Sequence, residues 1–195
     1  MNAQDTIAVI STGFMNTVND ALPGQPVSSG TGQAHYGGQV GKILAFNHTN
    51  VAWSGTQLYG GKYQYVKLYL SSSAAAAAGQ VASWYDLDDY VVTADALTGT
   101  SLVAGIFLNA ITKGNYGWIQ ISGLATVKFR AAITKATPAI GDLVLVQAGA
   151  YVGDVLADVT NLTSVEQRST LGVTVAGPTN GGSSLVALWL QYENV

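Results

Sequence analysis

The residues of this chain best suited to acid–base or metal chemistry are two histidines and a cluster of aspartates. His35 and His48 are the only imidazoles, and both lie in the irregular first third of the sequence, where an ordinary loop histidine is the expected role. Asp86, Asp88 and Asp89 bring three carboxylates together, but without the glycine and terminal glutamate of a calcium-binding loop. A metal site and a charged turn between two strands both fit this cluster, and we favour the turn.

The sequence lacks the motifs of the common catalytic sites. It contains no Cys, which excludes disulfides, thiolate zinc sites and cysteine nucleophiles. It has no nucleophile elbow, no phosphate-binding loop and no dinucleotide fingerprint, because the segment 30–32 lacks a third glycine and a following helix. A hydrolase acting on polysaccharide would need a paired-carboxylate site, which we do not find. We therefore expect a protein without enzymatic activity, catalytic residues, bound metal or cofactor.

Aromatic side chains between residues 53 and 69 are the best candidates for contact with a ligand or partner. A row of tyrosines on one face of a strand can bind sugar rings or a partner protein. The alternative is that these rings cover a barrel end or a seam between subunits. The candidate contacts in this cluster are Trp53, Tyr59, Tyr63, Tyr65 and Tyr69.

The composition favours a protein whose surface is partly covered by neighbours. Charged residues make up only 10% of the chain, against about 25% in typical soluble domains. We therefore expect an oligomer or a larger assembly. The net charge of −3 and the eight scattered Lys and Arg residues form no basic stripe, so we expect no direct contact with nucleic acid.

Neither a membrane span nor a signal peptide is expected. No apolar run approaches the length of about 20 residues needed to cross a bilayer. Residues 1–11 combine neither a basic start nor a sustained apolar stretch, so we expect synthesis in the cytoplasm.

Residues 1–39 form a segment distinct from the rest of the chain. The segment is rich in Gly, Ser, Thr and Asn and has no sustained period of either strand or helix. A flexible tail is one interpretation. We prefer an extended arm that packs on a partner, because the segment carries too many apolar residues for a solvated tail. Its candidate anchors are Ile7, Ile10, Phe14 and Leu22.

The remaining residues, 40–195, show the pattern of a β domain. From Tyr63 to Leu70 the residues alternate, with three tyrosines on one face, which predicts a strand. Ala74–Ala78 resembles a helix by propensity but is too short to stand alone, so we predict a loop. Further predicted strands are Val91–Thr93, Leu102–Ala110, Gly117–Ser122, Thr126–Ala131, Leu143–Gln147, Leu171–Ala176 and Leu185–Gln191.

The domain also contains an internal sequence repeat. The stretch from about residue 74 to 131 resembles that from about 136 to 192, for example in Ala104–Ile106 and Leu171–Val173. The pattern indicates two copies of one small β unit. We predict a mainly β fold, a compact antiparallel β-barrel or sandwich with internal duplication, preceded by the N-terminal arm. The strands around Ile119 and Val186 should be equivalent and share one core.

Several segments of the chain resemble virion structural proteins of tailed bacteriophages. They are Gly79–Val81, Trp84–Tyr85, Tyr90–Thr93, Leu102–Gly105 and Leu108–Gly123. The second half, in Pro138–Asp142, Leu171–Thr174 and Ser184–Val186, is similar to small β-barrel capsid decoration (cement) proteins. The resemblance covers about residues 63–190 and leaves the arm unexplained. It implies a non-enzymatic protein, commonly a trimer, that is made in the host cytoplasm. On the virion it would lie on the capsid surface and bind and bridge subunits of the major capsid protein. The alternative is a receptor- or glycan-binding module of a head fibre or tail.

Overall fold

The protein is built from β-strands joined by turns. A computed structural model describes residues 40–46, 51–53, 56–58, 60–72, 75–95, 102–108, 110–146, 152–155 and 170–189. These residues form no helix, and so none that is long and apolar enough to cross a membrane. The predicted arm, residues 1–39, lies outside the described residues.

The strands alternate with glycine-rich turns, as the sequence predicts. In chain order they are β1 Ile43–Phe46, β2 Val51–Trp53, β3 Thr56–Leu58, β4 Gly61–Leu68, β5 Val81–Asp86, β6 Val91–Thr93, β7 Val103–Phe107, β8 Tyr116–Gln120, β9 Gly123–Lys128, β10 Leu143–Leu145, β11 Asp154–Val155, β12 Thr170–Thr174 and β13 Ser183–Leu188. The predicted strands therefore exist, mostly with shorter bounds. β2 and β3 form a separate hairpin that the sequence pattern does not indicate.

Five strands close into a ring, which we call the first barrel. Around the ring the order is β4, β6, β5, β7 and β8, and β8 returns to pair with β4. Neighbouring strands are antiparallel except β4 and β6, which are parallel. β1 adds to the first half of β4, on the edge that β6 occupies further along. Closing the ring removes free strand edges that could otherwise pair with other chains.

The other main sheet closes in the same way, and we call it the second barrel. Its strands are hydrogen-bonded in the order β11, β10, β12, β13 and β9. A parallel bridge between Phe129 and Gly153 joins its two ends. The Gly153 N–H donates to the Lys128 carbonyl at 2.9 Å, and the Arg130 N–H donates to the Gly153 carbonyl at 3.1 Å. The second ring therefore repeats the first, including its one parallel contact.

Strand pairing gives each strand of the first barrel a counterpart in the second. β4, β6, β5, β7 and β8 correspond to β9, β11, β10, β12 and β13. The structure therefore shows the predicted duplication. The units begin at β4 and β9, not at residues 74 and 136, because β9 pairs with β13 of the second barrel.

The turns that lead into β5 and β10 share their hydrogen bonds as well as their position. Gly79 and Gly141 both have positive φ, +79° and +86°, a conformation that glycine adopts without the usual steric cost. Side-chain oxygens of Gln80 and Asp142 accept a bond from the backbone N–H three residues earlier, at 2.9 and 2.7 Å. These turns include the predicted loop at residues 74–78, of which 75–78 are described.

The two barrels enclose separate cores. Ile119 and Ile121 lie in a buried cluster inside the first barrel, whereas Val186 and Leu188 lie in the cluster of the second. The expectation of one shared core for these strands was therefore wrong, because each closed ring surrounds its own apolar side chains.

The barrels nevertheless pack against each other. Val81, Val103 and Ile106 belong to first-barrel strands but are buried in the cluster of the second barrel. The Lys128 N–H also donates to the Gly79 carbonyl at 2.8 Å. The Gln120 side-chain amide donates to the Leu124 carbonyl at 2.7 Å. Apolar burial and hydrogen bonds thus fix one unit on the other.

Candidate functional site

The outer face of β4 and β8 carries an aromatic strip. Tyr65 pairs across the strands with Trp118, and Lys67 with Tyr116. The Tyr65 and Trp118 ring centroids are 5.1 Å apart, and those of Tyr65 and Tyr116 are 6.1 Å apart. The Lys67 ammonium lies 5.7 Å from the Tyr116 ring centroid, within the range of a cation–π contact. We define the aromatic strip as these four residues together with Tyr63, Tyr69 and Tyr85.

Part of this strip is unavailable to a partner. Tyr63 and Tyr65 are fully buried, and Trp118 is only 3% exposed. This corrects the expectation that Tyr63 and Tyr65 offer contact surface: although they face away from the first-barrel core, other parts of the protein cover them. The alternation predicted for Tyr63–Leu70 holds in β4, since Val66 and Leu68 point into the core.

The far end of the strip is open to solvent. The rings of Tyr69 and Tyr85 stack with centroids 3.7 Å apart and planes at 16°. The Tyr85 hydroxyl donates a hydrogen bond to the Tyr69 hydroxyl at 2.9 Å. This bond and the nearby Tyr69 hydroxyl raise the pKa of Tyr85 above its ordinary value of 10.0. Tyr69 is half-buried, Tyr85 is 55% exposed, and the neighbouring Leu70 is 70% exposed.

The aspartate cluster forms the turn between β5 and β6. The Asp86 carboxylate accepts hydrogen bonds from the N–H groups of Asp88, at 3.0 Å, and Asp89, at 3.4 Å. Tyr90 ends the turn with a φ of +53°, a conformation uncommon for residues other than glycine. The turn expected from the sequence is therefore present. Within the described ranges, no three His, Asp or Glu side chains are grouped so that they could hold a metal ion.

An ion pair orders the turn that leads into β10 in the second barrel. The Lys135 ammonium lies 2.5 Å from the Asp142 carboxylate, which also accepts the Ala139 N–H. The bond to Lys135 is the main cause that lowers the pKa of Asp142 below its ordinary value of 3.8. The Asp142 side chain is 18% exposed and that of Lys135 30%. This cluster is explained by turn structure.

The remaining predicted contact residues cannot be placed in a site. Ile7, Ile10, Phe14, Leu22 and Tyr59 lie outside the described residues. Trp53 is the last residue of β2.

Sequence reasoning missed Tyr85, Tyr116 and Trp118 as members of the aromatic strip. Tyr85 is distant from the tyrosines of β4 in sequence and reaches Tyr69 only because β6 brings β5 and β4 together. The signal available was the aromatic run Trp84–Tyr90 around the aspartates. An outward tyrosine on a neighbouring strand can be recognised only when the strand order is known.

The residues that the structure describes form two closed β-barrels with an exposed tyrosine pair. No protein-family model and no curated protein match this chain. Among solved structures, the chain is similar to the N base of head fibre gp8.5 in bacteriophage phi29. The TM-score is 0.42 with 10% sequence identity, and the alignment covers 65% of this chain and 92% of the other.

Proposed function

We propose that this protein is a non-enzymatic structural component of a phage virion that binds the outer surface of the capsid. It stabilises the shell by bridging subunits of the major capsid protein, its main partner. The sequence resemblance of Leu102–Gly123 to virion structural proteins supports the proposal.

The observation that carries the proposal is that both barrels expose large apolar side chains. Leu70 on the first barrel is 70% exposed, and Ile140 and Trp189 on the second are 72% and 52% exposed. Single exposed apolar residues are common. Here they occur on a chain with only 10% charged residues, which favours surfaces that become covered in an assembly.

Contact points on two units suit a bridging role. A protein that holds two capsid subunits at once makes the second contact an intramolecular event, so weak contacts add to strong attachment. Binding that favours the assembled state also stabilises it by mass action. The packing between the barrels fixes the spacing of the contact points, since Val81, Val103 and Ile106 join the units. We further propose that the protein acts as a homotrimer, without contact to nucleic acid or membrane.

Co-sedimentation with capsids that lack this protein tests the proposal. The wild-type protein should bind saturably, and Leu70→Ser or Ile140→Ser should weaken binding, with a larger loss when both are combined. Lys128→Ser is the matched control, because Lys128 is exposed but charged. Absence of wild-type binding would contradict the proposal. Unchanged binding of the double variant would remove the assigned contact points.

The second candidate function is a receptor- or glycan-binding module of a head fibre or tail. The exposed ring of Tyr85 favours it. The two candidates differ in copy number, because a lattice-binding protein is needed at many equivalent places and a fibre or tail module at few.

A further inference from the structure

The tyrosine pair at the open end of the aromatic strip is built as a rigid platform. Tyr69 follows β4, and its N–H donates to the Val92 carbonyl at 2.8 Å, which fixes the backbone beneath its ring. Tyr85 lies in β5. One face of the Tyr85 ring rests on Tyr69 at 3.7 Å, so its 55% exposure belongs to the opposite face and the ring edges.

The hydrogen bond between the two hydroxyls adds to this order. It holds the rings in register, and two stacked rings joined in this way lose little further freedom when a ligand binds. An exposed aromatic face held in advance is therefore available in the free protein.

The segment of chain that follows Tyr85 is acidic. Asp86 follows Tyr85 directly and orders the turn, and the side chains of Asp88 and Asp89 are exposed on it. An ionised carboxylate only accepts hydrogen bonds and can accept several from hydroxyl groups. The same negative charges repel anionic ligands.

We propose that Tyr85, supported by Tyr69, is the stacking platform of a carbohydrate-binding site that takes an uncharged pyranose ring. The C–H groups on one face of the sugar pack against the electron-rich face of Tyr85. Sugar hydroxyls donate hydrogen bonds to the carboxylates of the turn. Uronic acids, sialic acids and phosphorylated glycans are disfavoured by these carboxylates.

A protein contact fits this surface less well. The central residues of protein interfaces are typically surrounded by contacts that exclude water, whereas the turn that follows Tyr85 in the chain carries the exposed side chains of Asp88 and Asp89. The inference does not depend on capsid binding, since a protein attached to a capsid can also carry a sugar site.

Titration followed by nuclear magnetic resonance tests the site. The probes are chitotetraose, maltotetraose and cellotetraose as uncharged oligosaccharides, and tetragalacturonate as the acidic counterpart. We expect at least one uncharged probe to bind and to shift resonances of residues 69, 70 and 85–89, while tetragalacturonate does not. Tyr85→Ala should weaken that binding by at least about tenfold.

Two further variants separate the platform from other effects. Tyr85→Phe keeps the ring and loses only the hydroxyl, so it should retain most of the affinity. Ile140→Ala removes an exposed apolar side chain of the second barrel and should leave sugar binding unchanged. Tyr85 and Ile140 are both exposed, so Tyr85→Ala, Tyr85→Phe and Ile140→Ala should all melt close to the wild type. A thermal scan checks this.

Three results would overturn the inference. The first is that none of the uncharged probes binds the wild type at millimolar concentration. The second is binding that Tyr85→Ala leaves unchanged. The third is an effect of Tyr85→Ala on capsid co-sedimentation without any sugar binding, which would assign the tyrosine pair to a protein partner. If the protein binds sugar but not capsids, only the capsid proposal is contradicted. The two proposals can therefore be tested separately.

Discussion

Gly105 and Gly172 occupy the same place in the two barrels. A Cβ added to Gly105 in β7 would lie 2.6 Å from the Gln120 carbonyl oxygen in β8. A Cβ added to Gly172 in β12 would meet the Ala187 carbonyl oxygen in β13 in the same way. Both contacts are closer than real Cβ atoms tolerate. In both copies the neighbouring strands approach each other too closely for a side chain at this position. This explains why both copies of the repeat have a glycine there.

Replacing either glycine should destabilise the fold. Gly105→Ala and Gly172→Ala should each lower the free energy of unfolding by about 2–4 kcal/mol, because the methyl group forces the strands apart. Gly141→Ala is the control: its added Cβ meets nothing within 4 Å, so only its positive φ costs, by about 1–2 kcal/mol. Urea unfolding gives the ranking. An equal or smaller loss at Gly105 and Gly172 than at Gly141 would contradict the assigned packing.

The Asp142 turn, which leads into β10, should make the stability of the protein fall at acidic pH. The pKa of Asp142 is lowered in the folded state, so its contribution is present above the unfolded pKa and is lost as the pH falls through the folded pKa. Asp142→Asn should therefore cost about 1 kcal/mol at neutral pH. The difference between variant and wild type should shrink as the pH falls below about 4.

Two comparisons check that pH effect. Asp88→Asn changes an exposed carboxylate and should alter stability by less than about 0.5 kcal/mol at any pH. Gln80 takes the place of Asp142 in the first barrel with an uncharged amide, so Gln80→Ala should cost stability without a pH dependence in this range. A constant gap between Asp142→Asn and the wild type down to pH 2 would exclude the proposed role of the ion pair.

The two barrels should unfold together. Ile106 is a strand residue of the first barrel that is 1% exposed within the second core. Ile106→Ala should lower stability by about 2–5 kcal/mol, while the protein keeps a single transition in both calorimetry and circular dichroism. Ile43→Ala is the control, because Ile43 is 45% exposed. Two separated transitions in the wild type would show that the barrels are independent.

Features that depend on residues close together in the sequence could be predicted, whereas features that depend on residues far apart in the sequence could not. Strands such as β6 could be placed because alternation and turn residues are local signals. The similarity between Ala104–Ile106 and Leu171–Val173 indicated the duplication. The closure of each ring could not be foreseen, since it depends on contacts such as Phe129 with Gly153 that carry no local signal.

The same limit applies to the candidate site. The outward face of β4 followed from alternation, but the burial of Tyr63 and Tyr65 did not, because alternation says which residues share a face and not what covers that face. Tyr85 became part of the site only through strand order. Residues that act together across strands are therefore the part that local patterns leave open.

The proposed trimer makes a direct prediction for the purified protein. Light scattering at micromolar concentration should give the mass of three chains of 20.2 kDa each, because the sparse charge and exposed apolar side chains favour association. Leu70→Ser and Ile140→Ser, measured beside Lys128→Ser, then show whether the exposed side chains hold the trimer or remain free for the capsid. A monodisperse monomer would contradict the trimer.

The copy number of the protein in purified virions tests the central claim most directly. Quantitative mass spectrometry of intact particles, with the major capsid protein as internal reference, gives this ratio. A protein that bridges capsid subunits over the whole shell should be present in hundreds of copies, in fixed proportion to the major capsid protein. A handful of copies per particle would contradict the account and favour a fibre or tail module, and complete absence from the particle would exclude both.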